Sequence, residues 1–102
     1  MIPRVIKIIE IKGFDVTVLF NNGKILTIDF YSWIVPRAAG KNIYTQLLKE
    51  NIFNTIGCNG ITLYWPDLAE VTLLDGTIQP AEFDLDPLML YEFASSKKQF
   101  VA

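Results

Sequence analysis

At 102 residues the chain is long enough for one hydrophobic core and too short for two domains. Hydrophobic residues make up 51% of the chain and charged residues 20%, a balance that excludes an intrinsically disordered protein. The formal net charge is −2, and no apolar run approaches the roughly 18 residues that a membrane-spanning helix needs.

The first elements indicate an N-terminal strand followed by a β-hairpin. Residues 4–12 are rich in isoleucine and valine, and two alternating runs follow on either side of residues 21–23. A two-residue turn would put the apolar residues of the two runs on conflicting faces. A three-residue loop with a left-handed Gly23 sets Val18 opposite Leu26 and gathers the apolar side chains on one face. The other pairs in this predicted register are Phe14 with Phe30, Asp15 with Asp29, Val16 with Ile28 and Thr17 with Thr27.

The middle of the chain predicts short helices. Residues 31–41 are interpreted as a connection, because they contain a proline and a glycine. Asn42 can cap a short helix over residues 43–49, in which apolar side chains recur four residues apart. A second short helical turn is predicted at residues 51–55.

A later strand and a second hairpin follow. Residues 61–65 predict a strand that ends before Pro66. The Asp-Gly pair at residues 75–76 indicates a hairpin within residues 68–79. A two-residue turn there pairs Leu74 with Thr77 and Leu73 with Ile78.

The last element has the clearest local signature of a helix. Asp86 is a helix N-cap, Pro87 occupies the first helical position, and Leu85 and Leu90 form a hydrophobic staple. The helix is predicted over residues 87–94. The predicted fold is a single α+β domain: a small antiparallel sheet of the N-terminal strand, the first hairpin, the later strand and the second hairpin, with a short helical middle and a C-terminal helix. Its core spans residues 4–94, and residues 95–102 form a polar tail.

Three motifs follow one another in an order that resembles a known family. They are the hairpin pattern from Val16 to Gly23, the run from Gly60 to Trp65-Pro66, and Asp84-Leu85-Asp86-Pro87 followed by Leu90-Tyr91. Their order over roughly residues 4–94 resembles the bacterial domain of unknown function 2442 family, from which the chain departs in the length of residues 68–83. The resemblance implies a small α+β fold with no established activity. In this family, fusion to helix-turn-helix domains or neighbouring genes for other small proteins implies that the present chain is the antitoxin-like member of a two-gene pair. DNA binding is not implied, because the chain is too short to add a helix-turn-helix domain.

The composition removes most catalytic chemistry. The chain has no histidine, so the common nucleophile–histidine pairs and histidine metal ligands are absent. The single Cys58 makes neither an internal disulfide nor a structural zinc site, and the glycines form no phosphate-binding loop. Acid–base catalysis by Asp67, Asp84 or Asp86 stays open, with helix capping as the alternative for Asp86. We therefore expect a protein that is not an enzyme and that has no cofactor or metal.

Charge is distributed unevenly along the chain. Residues 1–49 carry seven basic and three acidic side chains, whereas residues 50–96 carry eight acidic side chains and no basic one. If the second segment forms a continuous face, it suits a basic protein partner; if folding interleaves the segments, the surface is mixed. With a pI near 4.9 and scattered basic residues, neither nucleic acid nor a membrane is expected as a partner.

The apolar content and the aromatic residues favour a protein-binding role. A mean hydropathy of +0.31 is high for a small chain, so either apolar surface is exposed for a partner or the core is unusually aliphatic. Exposed apolar surface predicts self-association, most simply as a dimer. The single cysteine and the lack of a signal-peptide pattern favour the cytoplasm. Candidate partner-binding residues are Tyr64, Trp65, Asp67, Glu70 and Asp75. The leading function is a non-enzymatic interaction or regulatory module, and the alternative is a small-ligand-binding domain or a carboxylate-dependent enzyme.

Overall fold

The structure, a computed structural model, describes residues 2–99 and the side chains of residues 2–96. The predicted α+β class is confirmed, but the strands form two three-stranded antiparallel sheets, with the orders β1-β2-β3 and β4-β5-β6. The strands are β1 (Val5–Lys12), β2 (Asp15–Phe20), β3 (Ile25–Asp29), β4 (Gly57–Cys58), β5 (Leu63–Thr72) and β6 (Ile78–Asp84), and the helices are α1 (Phe30–Ile34), α2 (Ile43–Leu47), α3 (Glu50–Phe53) and α4 (Pro87–Gln99).

The first hairpin has the predicted three-residue loop. Gly23 has a φ of +85° and donates its N–H to the carbonyl oxygen of Phe20 at 3.0 Å. The amide of Phe20 donates to the carbonyl oxygen of Lys24 at 2.9 Å, which closes the loop. The predicted register is confirmed for Asp15 with Asp29, Val16 with Ile28, Thr17 with Thr27 and Val18 with Leu26. The apolar face of this hairpin is consequently buried in the core.

The segment after β3 is helical, so the predicted connection over residues 31–41 is corrected. The Asp29 carboxylate accepts hydrogen bonds from the backbone N–H of Ser32 at 3.1 Å and from its hydroxyl at 2.6 Å. The first of these bonds satisfies a backbone amide at the start of α1, as an N-cap does. A 3-10 turn over Val35–Arg37 follows α1 directly.

The two predicted short helices in the middle of the chain are confirmed, with small shifts in where they begin and end. Asn42 caps α2, because its side-chain oxygen accepts from the N–H of Thr45 at 2.9 Å. Helix α2 ends at Leu47, two residues before the predicted end, and α3 begins one residue before the predicted second turn.

Strand β5 continues past Pro66, so the prediction that a strand ends there is wrong. The pairs on either side leave residues 66–68 opposite Glu82 alone, which makes a β-bulge. A proline is tolerated at a bulge because the ladder is already interrupted and its missing N–H removes no ladder hydrogen bond.

The second hairpin turns through residues 74–76 and not through the predicted two residues. Gly76 has a φ of +88° and donates its N–H to the carbonyl oxygen of Leu73 at 2.9 Å. A two-residue type I′ turn needs a positive φ at Asp75 as well. Within residues 2–99, only glycines have a positive φ. The predicted pairs, Leu74 with Thr77 and Leu73 with Ile78, are therefore wrong by one residue, and the observed pairs are Leu73 with Thr77 and Thr72 with Ile78.

The final helix confirms the predicted start and corrects the predicted end. The Asp86 side chain accepts from the N–H of Leu88 at 3.0 Å, and Leu85 and Leu90 are both buried. The helix continues to Gln99, so the first part of the predicted polar tail is helical; residues 100–102 lie outside the described residues. Helix α4 packs against β3, the last strand of the first sheet.

One continuous core lies between the two sheets and the helices. Its largest fully buried side chains, each less than 2% exposed, are Trp65, Phe20, Phe30, Phe53, Ile28, Ile34, Leu47, Leu63, Leu90, Val5, Val16 and Val18. Trp33 belongs to the same core, since only 4% of its surface is exposed. The high aliphatic content therefore serves the core, while further aliphatic side chains stay exposed elsewhere.

Candidate interaction surface

Trp65 lies in the core, which corrects its prediction as a partner-binding residue. Its ring is 0% exposed and lies 5.8 Å from the rings of both Phe30 and Phe53. Its indole N–H donates to the carbonyl oxygen of Phe53 at 3.0 Å. The face of β5 that carries Trp65 is covered by the helices and the first sheet, so this side chain cannot anchor a partner.

Tyr64 points to the opposite face of the same strand and is half-buried. It pairs with Gly57 on β4, and a Cβ atom placed at Gly57 would lie 2.8 Å from the tyrosine ring. The ring therefore lies directly over the glycine backbone and is held by its own sheet. Tyr64 contributes partly accessible aromatic surface at the base of the second sheet.

The three predicted acidic residues are all exposed, but they do not form one cluster. Asp67 lies in the bulge of β5, Glu70 lies three residues further along the strand, and Asp75 lies in the hairpin turn. Asp75 accepts a hydrogen bond from the N–H of Thr77 at 2.9 Å, and this bond lowers the pKa of its carboxyl group. The turn therefore carries an exposed carboxylate.

A groove separates β5 from α2 and α3, and its volume is about 970 Å³. Asp67 and Glu70 both line it, so the structure brings these two predicted residues to one site. One wall is formed by Pro66, Asp67, Leu68, Ala69 and Glu70, and the other by Lys41, Asn42, Ile43, Gln46, Asn51, Ile52 and Thr55. The residues of the helical wall are not predicted as site residues. The sequence of these short helices does not indicate which strand they pack beside.

The far end of the second hairpin projects from the body of the protein. Every residue from 70 to 80 is exposed, and we call this segment the arm. Its aliphatic side chains Val71, Leu73, Leu74 and Ile78 are 44%, 39%, 110% and 61% exposed. Exposed aliphatic side chains concentrated on one element are typical of an interaction surface.

The two faces of the arm differ in charge. Strand register places Val71 with Gln79 on one face and Glu70 with Pro80 on the other. The first face continues from Phe83, which packs on the core, and between the bulge and the turn it carries no charged residue. The second face carries Glu70 and continues to Glu82. One face of the arm is thus uncharged, whereas the acidic face with Glu70 also carries Ile78.

The hairpin as a whole is strongly acidic. Residues 63–84 contain five acidic side chains and no lysine or arginine. Lys41 stands on the opposite wall of the groove and is the basic residue among those that line it. Apart from this lysine, the surface formed by the groove and the arm presents negative charge beside aliphatic side chains.

The carboxylates of the alternative function are separated in space. Asp67 lines the groove, whereas Asp86 caps α4 and lines a smaller cavity of about 360 Å³ beside Trp33 and Arg37. Asp84 lines neither cavity and pairs with Tyr64 across the strands. Among the described residues, no group of three or more acidic or cysteine side chains is placed to hold a metal ion. The structure therefore assembles no shared carboxylate site from these three residues.

Comparison with protein-family models, with curated proteins and with solved structures finds no match to this chain. The resemblance to the domain of unknown function 2442 family therefore stays a prediction. Over residues 2–99, every helix is too short or too polar to cross a membrane.

Proposed function

We propose that this protein is a non-enzymatic interaction module that binds a basic partner protein through the arm and the adjoining groove. The observation that carries the proposal is the projecting arm, in which residues 70–80 are all exposed and four aliphatic side chains face solvent. Burial of apolar surface contributes about 25 cal/mol per Å², so covering these side chains favours association.

The charge of the hairpin indicates the kind of partner. Five acidic side chains and no basic one lie within residues 63–84, and the hydrogen bond from Thr77 lowers the pKa of the Asp75 carboxyl group at the tip. Complementary charge speeds the encounter of two proteins, and buried apolar contacts slow their separation. A basic partner with an apolar strip matches both features of the surface.

Two further parts of the proposal concern assembly and context. The uncharged face of the arm, with Val71 and Leu73, also supports self-association as a dimer. A small acidic module that binds a basic protein fits the antitoxin-like member of a two-gene pair, acting in the cytoplasm. The family resemblance supports this context, and the acidic arm supports the choice of a basic partner.

The test is affinity capture from the native cell with a matched pair of variants. One variant replaces two exposed aliphatic residues of the arm, Val71→Ser with Leu74→Ser. The control replaces two exposed aliphatic residues of the body, Ile25→Ser with Ile61→Ser, which are 56% and 47% exposed. We expect a positively charged protein to be captured by the wild type and the control, to be lost with the arm variant, and to be released by salt.

Three results would contradict the proposal. They are capture of no protein, capture of an acidic protein, and equal capture by the arm variant and the control. Circular dichroism of both variants confirms that the fold is retained before capture is compared.

A further inference from the structure

The outer edge of β5 carries backbone groups that point away from its partner strand. Leu73 donates its N–H to the carbonyl oxygen of Thr77 at 2.8 Å, so these two residues form a hydrogen-bonded pair. Hydrogen-bonded and non-hydrogen-bonded pairs alternate along an antiparallel ladder. The Thr72 and Glu70 backbone groups therefore point outward, away from β6, and Glu70 also lines the groove. The pairing of Glu70 with Pro80 agrees, since proline has no N–H to donate inward.

The other long strand edges are blunted or covered. Strand β1 has register shifts at Ile6 and Ile9, and such bulges disfavour pairing with a further strand. Strand β3 is packed against α4. The outer edge of β6 lacks a donor at Pro80. Between Pro66 and Thr72, no strand of the described part of the chain pairs with the outer side of β5.

The groove lies beside this open edge. Pro66 to Glu70 form one wall, and Ile43 and Ile52 give the opposite wall apolar side chains. A strand lies about 4.8 Å from its neighbour and exposes its side chains alternately to two faces. A groove with an open strand edge on one wall is the geometry in which an extended peptide adds to a sheet.

We infer that the groove binds an extended basic segment of the partner protein as an additional strand on the outer edge of β5. The inference rests on the proposed function and specifies its binding mode. Side chains of the added strand on the acidic face lie beside Glu70, so lysine or arginine is favoured there. Side chains on the other face lie beside Ala69 and Val71, so valine or isoleucine is favoured there. The partner segment therefore alternates basic and β-branched apolar residues.

A matched pair of proline variants tests the inference. Thr72→Pro removes an outward N–H from the β5 edge, and Ile78→Pro removes an outward N–H from the β6 edge at the cross-strand position. Neither change removes a ladder hydrogen bond, because these two residues form a non-hydrogen-bonded pair. The probe is a capped eight-residue peptide of alternating lysine and valine, with the alternating glutamate–valine peptide as its control.

We expect the lysine–valine peptide to bind Thr72→Pro about tenfold or more weakly than it binds Ile78→Pro, because the β5 edge loses a donor and gains a ring in Thr72→Pro alone. Amide exchange at Glu70 and Thr72 should slow when the peptide binds, whereas exchange at Val71 is already slow in the free protein. The glutamate–valine peptide should bind at least about tenfold more weakly than the lysine–valine peptide.

The outcomes separate this inference from the proposed function. If Thr72→Pro binds the peptide as well as Ile78→Pro does, or if exchange at Thr72 is unchanged, strand addition is wrong. If Thr72→Pro also still captures the native basic partner while the arm variant loses it, the interaction module stands with a different binding mode. If the arm variant captures the partner as the wild type does, the proposed function itself fails.

Discussion

The two buried tryptophans allow the contribution of one hydrogen bond to the free energy of unfolding to be measured. Both are buried, with 4% of Trp33 and 0% of Trp65 exposed. The indole N–H of Trp65 donates to the carbonyl oxygen of Phe53 at 3.0 Å, whereas that of Trp33 has no hydrogen-bond partner among the described residues. The same substitution, tryptophan to phenylalanine, therefore removes a hydrogen bond at one site and an unsatisfied donor at the other.

The expected difference in unfolding free energy follows from these contacts. Trp65→Phe loses a hydrogen bond worth about 0.5–1.5 kcal/mol, and the Phe53 carbonyl oxygen keeps its bond from the N–H of Ile56. Trp33→Phe removes a desolvated donor that costs about 1–3 kcal/mol. It also weakens the contact with the Arg37 guanidinium, 4.4 Å from the ring centroid, which is worth about 0.5–1 kcal/mol. The cost of the smaller ring is the same kind in both variants and cancels in the difference. Trp65→Phe should therefore be less stable than Trp33→Phe by about 2 kcal/mol.

Urea unfolding followed by far-ultraviolet circular dichroism measures this difference. Fluorescence is unsuitable as the common probe, because each variant keeps a different tryptophan. Equal slopes against urea would show that the two variants expose similar surface on unfolding. If Trp33→Phe is as destabilised as Trp65→Phe or more so, the hydrogen-bond argument is wrong and ring packing decides both costs.

Three further predictions concern the turn, the final helix and a tyrosine. Gly23→Ala should destabilise the protein by about 1 kcal/mol through its positive φ alone, since no heavy atom beyond the two neighbouring residues lies within 4 Å of the added Cβ; an unchanged urea midpoint would contradict this. Asp86→Ala should cost about 0.5–2 kcal/mol while partner capture is retained, and Asp86→Asn, which keeps a capping oxygen, is the control. Hydrogen bonding by Lys24 and Asn22 lowers the pKa of Tyr91, so Lys24→Met should raise that pKa in an NMR titration.

An element of this fold is predictable from sequence where neighbouring residues alone determine it, and not where long-range packing does. The first hairpin is predictable because both its strands alternate, so only one register places Val16, Val18, Leu26 and Ile28 on one buried face. The second hairpin has a similar turn, but Val71, Leu73, Leu74 and Ile78 do not alternate cleanly. Its sequence therefore does not choose between a two-residue and a three-residue turn. In the structure Asp75 has a negative φ, as the three-residue turn requires.

Elsewhere one residue belongs to two elements, and the local sequence pattern does not predict the second element. Asp29 ends a strand and caps α1, and a five-residue helix shows too little periodicity to be read from sequence. Alternation correctly places Tyr64 and Trp65 on opposite faces, but it does not say which face the rest of the chain covers. The groove depends in the same way on long-range packing, because α2 and α3 are brought beside β5 only in the folded chain.

The sign of the salt effect separates the two associations proposed for the arm. A basic partner is attracted by Asp67, Glu70 and Asp75, and salt screens that attraction, so its binding should weaken as ionic strength rises. In a dimer formed through the uncharged faces with Val71 and Leu73, the two acidic hairpins repel each other at close range. Screening shortens the range of that repulsion from about 10 Å at 0.1 M salt to about 3 Å at 1 M.

Self-association should therefore strengthen with salt, and sulfate should strengthen it further because it favours burial of apolar surface. Light scattering at tens of micromolar protein, in low and high sodium chloride, measures this directly; Leu73→Ser should reduce the dimer, and Ile25→Ser should not. The reasoning fails if the protein stays strictly monomeric in high salt, because exposed aliphatic area would then not be enough to hold two arms together. It fails also if salt weakens the dimer, because the contact between copies would then join opposite charges, and the acidic hairpin would have to lie against the basic residues of the first sheet.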